Sequence, residues 1–291
     1  MKSALSLRSV RSTHDPKLIE RLAAAAHAIR TISIAAIHRA GSGHPADALS
    51  AADVLAALYG AEMNIWPGRL ADPDRDRFVL SEGHTAPALY AAGAHFGFCT
   101  ADDALTLRGH FASLPWIETR AASPSQGLSV AVDIATGLKL KGSPARVYAM
   151  LGDVELQDAE MWEATMAASH YRVDNLLAIV DGNRLQSDDS NANIMGLRPL
   201  DAEFRAYGWH VIEVDGHDLD TLVSAFEEAF EVVGKPAVVL AHTVKGKGVP
   251  FMENAPQWNG RVTLSRQQAE DALKTLGCSA QDCTRLHDVP E

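Results

Sequence analysis

Two apolar rhythms alternate along the chain. Short β-prone runs occupy positions 76–80, 147–151, 176–180, 210–214 and 237–243, bounded by Gly, Asp, Asn or other polar residues, and they read as buried strands. Between them the apolar residues recur at spacings of three and four. Leu18, Leu22, Ala25, Ile29, Ile32 and Ala36 mark one helical face, opened by the cap Asp15-Pro16 and closed at Gly41. Similar patterns predict helices over 48–59, from His84 to about Phe96, and over 129–140, 156–170, 200–207, 219–232 and 265–276. Thr100 with Asp103 forms a capping box for one short helix more.

Alternating strands and helices define an α/β fold: a single domain with a mostly parallel sheet covered by helices on both faces. The expected organisation is a flexible N-terminus (1–14), one domain (15–277) and a polar tail (278–291). The segment 146–186 is the clearest unit. Its two strands and intervening helix make a βαβ crossover, so the loops after both strands lie at one sheet edge. Asp153 then lies beside Asn183. A carboxylate, an amide oxygen and a nearby main-chain carbonyl form part of an oxygen shell suited to Mg²⁺ and phosphate. The same residues also fit a plainer reading, with Asp153 capping a helix and Asn183 in a turn.

Composition narrows the classes. Apolar residues make up 47% and charged residues 22% of the 291 positions, as in ordinary globular domains. The net charge of −11 argues against a general nucleic-acid binder, and no apolar run has membrane-spanning length. Cys99, Cys278 and Cys283 lack metal-ligand spacing and read as reduced thiols of a cytoplasmic protein. Lys2, Arg8 and Arg11 among N-terminal serines resemble a weak transit peptide, but a frayed terminus is the simpler reading. Gly41–Ala46 matches G-x-G-x-x-A in form, yet it follows a helix, so a nicotinamide site is not expected. Lys245-Gly246-Lys247-Gly248 lacks the spacing of a P-loop and reads as a flexible turn.

Four loops stand out together: Ser42-Gly43-His44-Pro45, Ser81-Glu82-Gly83-His84, Gly109-His110, and Gly152-Asp153 with Asn183. With the string preceding Ser81, they closely resemble the N-terminal half of transketolase, and more closely the stand-alone N-terminal subunit of split transketolases. The resemblance covers roughly residues 24–260. It implies a domain that holds thiamine diphosphate through Mg²⁺, or Ca²⁺ or Mn²⁺ in its place. It implies metal ligation by Asp153, Asn183 and the carbonyl of Leu185, and catalytic roles for His44, His84 and His110. His84 also matches a histidine on the diphosphate. Gln126, Gly127, Gly152, Val154 and Asn259 fall at cofactor-binding positions, and Lys245 matches a lysine near the active-site cover. The resemblance further implies a partner, a C-terminal subunit carrying the activating glutamate, in an α2β2 assembly that takes a ketose donor and an aldehyde acceptor. His14, His27, His38, His95, His170, His210, His217, His242 and His287 match no catalytic position and read as surface or capping residues.

The chain departs from the family pattern at several points. Val154 replaces a glycine and would disfavour positive φ. Asp158-Ala159 replaces Glu-Gly, Ala46 replaces a glycine, and Ala122-Ser123-Pro124-Ser125 replaces a glycine-rich run. Asn259 stands where a histidine is expected; it hydrogen-bonds but does not transfer protons at neutral pH. The expected function is ketol transfer between sugar phosphates. A divergent thiamine diphosphate-dependent ketol or acyl ligase is the alternative, and a non-catalytic regulatory partner a more distant one.

Overall fold

The computed structural model describes residues 15–106, 116–118, 125–183, 185–186, 189–190 and 199–278. The expectations for residues 1–14, for His110, for Ala122-Ser123-Pro124 and for the tail from 279 lie outside these residues. Three strands come first: β1 (Arg77–Leu80), β2 (Val147–Gly152) and β3 (Leu176–Asp181). A two-stranded antiparallel ribbon follows, β4 (Leu185–Gln186) with β5 (Asp189–Ser190), in a stretch whose polar composition reads as loop. β6 (His210–Asp215) and β7 (Ala237–His242) complete the main sheet. Its order is β1-β2-β3-β7-β6, and every neighbouring pair is parallel.

Strands buried on both sides show no polar alternation, yet the pleat still sorts their side chains. Phe78, Tyr148, Met150, Leu177, Ile179 and Val239 enter one apolar layer. Val79, Val147, Ala149, Leu151, Ala178 and Val238 enter the other. The first layer packs under α1 (Pro16–Arg39), α2 (Pro45–Ser50), α3 (Ala52–Ala57) and α4 (Ala86–His95). The short α5 (Ala101–Thr106) lies against α1. The second layer lies under α6 (Gln126–Leu140), α7 (Ala159–His170) and α8 (Leu200–Ala206). The remaining helices, α9 (Leu219–Phe230) and α10 (Arg266–Thr275), return to the first layer. The expected α/β domain with helices on both faces is the observed one.

Local signals placed most ends well. The Asp15 carboxylate accepts from the Lys17 amide, and Ser265 with Gln268 forms a capping box. The Thr100–Asp103 box is present. The expected helix over 48–59 differs. It starts earlier, because Pro45 fits a first helical position, and it is interrupted at Ala51. The Ser50 hydroxyl turns back to the Asp47 carbonyl and to the Asp181 carboxylate, competing with the helical ladder. The run closes in a π turn, Leu58–Glu62, where the Met63 amide donates to the Leu58 carbonyl. Among the described residues no helix is long and apolar enough to cross a membrane.

Candidate active site

The register of β2 on β3 sets Gly152 opposite Asp181. Asp153 follows Gly152 directly and Asn183 lies just past Asp181, so both leave the sheet at the same edge. Both are buried, 5% and 7% exposed. Leu185 opens β4 immediately beyond. Among the described residues no three His, Cys, Asp or Glu side chains converge as a metal cage. One carboxylate, one amide and one main-chain carbonyl leave coordination positions for water and phosphate oxygens, as a hard cation with a diphosphate requires. Asp153 also borders a cavity of about 120 Å³, shared with Gly182, Leu200, Glu213 and His242. The expected donors thus fit the group the resemblance implies.

The helix expected from Leu156 begins later. Asp153–Gln157 is a 3₁₀ turn, and α7 starts at Ala159 with Asp158 as its first cap. Within this turn sits Glu155, which no sequence motif marks out. Its carboxylate accepts from the Gly152 amide at 3.1 Å, the Ser125 amide at 3.2 Å and the Ser81 hydroxyl at 3.1 Å. Three loops are tied to one side chain. Ser125 adopts φ 78°, a conformation that costs a residue with a Cβ about 1 kcal/mol or more. Its amide contact to Glu155 and its hydroxyl contact to Asp158 hold it there. The helix expected over 129–140 therefore starts earlier: α6 begins at Gln126. A Cβ at Gly127 would stand 2.6 Å from the Ser81 Cα, so glycine is what lets α6 meet the end of β1. Val154, by contrast, is not among the residues with positive φ, and its replacement of glycine brings no backbone strain.

Two expected histidines meet. His44 precedes α2 and His84 follows β1, with ring centres 5.6 Å apart. Between them and the 245–248 turn lies Asp47, another residue missed from sequence. Asp47 is 3% exposed, 2.9 Å from the Lys245 Nζ and 3.4 Å from the His84 Nε2. Burial opposes its ionisation, but the His84 contact and the Lys245 charge outweigh burial and hold the carboxyl at about 2. Burial also disfavours the His84 cation, yet Asp47 outweighs it and raises the imidazole above its ordinary value. His44 moves the opposite way, lowered first by burial, against the pull of Asp47 and with the help of His84, Lys245 and Arg261. Neighbouring imidazoles are therefore shifted in opposite directions, His84 toward the cation and His44 toward the neutral ring.

Lys245 corrects a second expectation. Its turn is fixed, with Lys245 buried, the Gly246 amide on the Ala46 carbonyl at 2.9 Å and the Asn254 amide on the Lys245 carbonyl at 2.9 Å. Gly246 has φ 82°, and a Cβ there would stand 2.3 Å from the Met252 carbonyl oxygen. Below the histidines lie further carboxyls. Glu82 is 1% exposed, and its carboxyl is pushed well up by burial and by Asp181, Glu155, Asp47 and Asp153. Its Oε1 has no hydrogen-bond partner among the described residues. Asp181 is fully buried, accepts from Ser50 at 2.7 Å and from Thr243, and is raised chiefly by burial. Asn259 lies on a segment pinned to the first loop by the Gly43–Val262 bridge and by Arg261 on the Ser42 hydroxyl at 3.0 Å. Both its amide atoms are buried without a partner among the described residues.

The Asp47 arrangement makes a direct prediction. Asp47→Asn removes the charge that offsets burial of His84, so the His84 titration midpoint should fall from above its ordinary value to below it, read by NMR of labelled histidine. An unchanged midpoint would contradict the pairing. The linkage has two signs. The raised His84 adds stability that is lost as pH climbs through its folded value. Asp47, lowered from 3.8 to about 2, adds stability that is lost as pH falls through that window.

Comparisons with known proteins bear on the family and the fold. The family described as transketolase, thiamine diphosphate binding domain, matches residues 22–288. The 6-deoxy-6-sulfo-D-fructose transketolase subunit SqwG of Clostridium sp. (strain MSTE9) is 40% identical over 237 residues, spanning 78% of this chain and 86% of that protein. An apulose-4-phosphate transketolase subunit of Phocaeicola vulgatus is 34% identical over 249 residues, spanning 82% and 88%. The structure of transketolase from Leishmania mexicana superposes with a TM-score of 0.78 at 25% identity, covering 93% of this chain and 43% of that one. The fold and the loops at its sheet edge define a thiamine diphosphate-binding α/β domain. The chain belongs to the transketolase family. It spans less than half the length of relatives such as the bovine transketolase-like protein 2, of which it covers 44%.

Proposed function

We propose that this chain is the cofactor-holding subunit of a Mg²⁺- and thiamine diphosphate-dependent transketolase, which moves a two-carbon ketol unit from a ketose donor to an aldehyde acceptor in the cytoplasm. The observation that carries the reading is the β2–β3 register, which delivers Asp153 and Asn183, both buried, to one edge of a parallel sheet. Bound thiamine diphosphate supplies the carbon nucleophile and electron sink for breaking and making the carbon–carbon bond. The chain's own residues do the rest. Asp153, Asn183 and the Leu185 carbonyl hold the cation. His84, shifted toward the cation by Asp47, offers positive charge to the diphosphate. Neutral His44 takes a proton at its imidazole from a substrate hydroxyl, and Gln126, Gly127, Gly152 and Val154 shape the cofactor's bed. His110 matches the position of a donor-side histidine of the family.

The activating glutamate and much of the substrate's grip are assigned to a C-terminal partner subunit, with an α2β2 assembly. The names of the two subunit relatives support that division. The test is ketol transfer from xylulose 5-phosphate to ribose 5-phosphate with mass in solution, for this chain alone and mixed with a C-terminal subunit from the same genome. The mixture should form a larger species and turn over. Turnover by the lone chain at an enzymatic rate would overturn the split. A second reading, the same chemistry on a different sugar, is favoured by Asn259 in place of histidine and by Asp47 occupying Lys245. Activity with another ketose and none with xylulose 5-phosphate would select it.

A further inference from the structure

His217 reads from sequence as a surface or capping residue, yet its side chain is only 8% exposed and sits in a buried chain of polar contacts. The Val244 amide donates to the His217 Nε2 at 2.7 Å. That nitrogen must carry a lone pair, so the ring proton sits on Nδ1, which donates to the Asp53 Oδ2 at 2.6 Å. Asp53 is 6% exposed. Burial works against its charge, but the His217 hydrogen bond and Arg30 outweigh burial and keep it ionised. Arg30 grips both carboxylate oxygens, Oδ1 at 3.3 Å, and its Nε donates to the Leu49 carbonyl at 3.2 Å.

The contacts form one chain, with the donors converging on Asp53 from both ends. They start on α1 with Arg30, pass through α3 with Asp53 and the loop before α9 with His217, and end on the main chain of Val244. Val244 is the residue before Lys245, whose ammonium reaches Asp47 and, through Asp47, His84. A lysine stem has four rotatable bonds and loses rotamer entropy when it is immobilised, so its base must be held for the ion pair to persist.

We propose that His217, backed by Asp53 and Arg30, is a positioning residue that fixes the Val244 main chain and thereby sets the Lys245 ammonium on Asp47. Its consequence for turnover rests on the proposed transketolase reading. The positioning itself does not, and the experiment below needs neither cofactor, substrate nor partner.

The two ring nitrogens can be separated by substitution. His217→Asn keeps an amide near Nδ1 for Asp53 and removes the acceptor for Val244. His217→Gln carries an oxygen near Nε2 and restores that acceptor. The readout is competitive acylation of lysines by acetic anhydride on the full chain, quantified by mass spectrometry, with exposed Lys139 and Lys274 as references. In His217→Asn, Lys245 should label at least about fivefold faster relative to the references, as expected of a locally opened turn. His217→Gln should return it close to the wild-type rate. Asp53→Asn, which weakens the support behind the ring, should raise Lys245 labelling by a smaller factor and serves if His217→Asn does not fold. Wild-type labelling of Lys245 in His217→Asn, or in Asp53→Asn where that variant stands in, would overturn the proposal. So would a rise shared by buried lysine and β-sheet amide exchange alike, or a failure of Gln to rescue.

Discussion

Asp153→Ala is expected to abolish metal-dependent binding of thiamine diphosphate. Removing residues that merely support a metal ligand costs 10–100-fold in affinity, so loss of the sole proposed carboxylate ligand should cost more than about 10²-fold. The fold should survive, because Asp153 lies past the end of β2 and outside both apolar layers. Calorimetric titration of thiamine diphosphate with and without Mg²⁺ checks this, with the thermal midpoint as control. Equal affinity in the variant and the wild type would remove Asp153 from the metal site.

His44→Ala should leave cofactor affinity nearly intact and lower turnover of the assembled enzyme by about 10²–10⁴, the range for losing a positioned acid–base group. The basis is the opposed pair. His44 is lowered, chiefly by burial, and so is neutral near pH 7, while His84 beside it is raised through Asp47. A neutral imidazole accepts a proton that a cationic one cannot. The rate loss should be larger than for His44→Gln, which retains hydrogen bonding without basicity. A His44→Ala enzyme with near-normal turnover would assign proton transfer elsewhere.

Much of the architecture was legible in the sequence for a local reason. Strand and helix periods are properties of neighbouring residues, and caps such as Asp15-Pro16, Thr100 with Asp103 and Ser265 with Gln268 act within one turn. Parallel pairing followed from the alternation of elements, and with it the common edge for Asp153 and Asn183. Three of the four loops that carry the family resemblance were likewise contiguous strings, and the crossover brought Asn183 to the fourth.

What the tertiary structure alone decided are the contacts between charged and polar groups far apart in the chain. Nothing near Ser125 in sequence foretells a left-handed serine opening α6; the carboxylates of Glu155 and Asp158 impose it from another loop. Nothing in the string that follows His44 marks Asp47 as the partner of Lys245, almost two hundred residues later, or as the group that separates the two histidines' proton affinities. His217 reads as one histidine among many until Asp53 and Val244 close on its two nitrogens. Periodicity determines where an apolar face points because that face is repeated along the chain. A buried charge is set by whichever partner the folded loops bring within about 3 Å, and that distance exists only once the sheet has assembled.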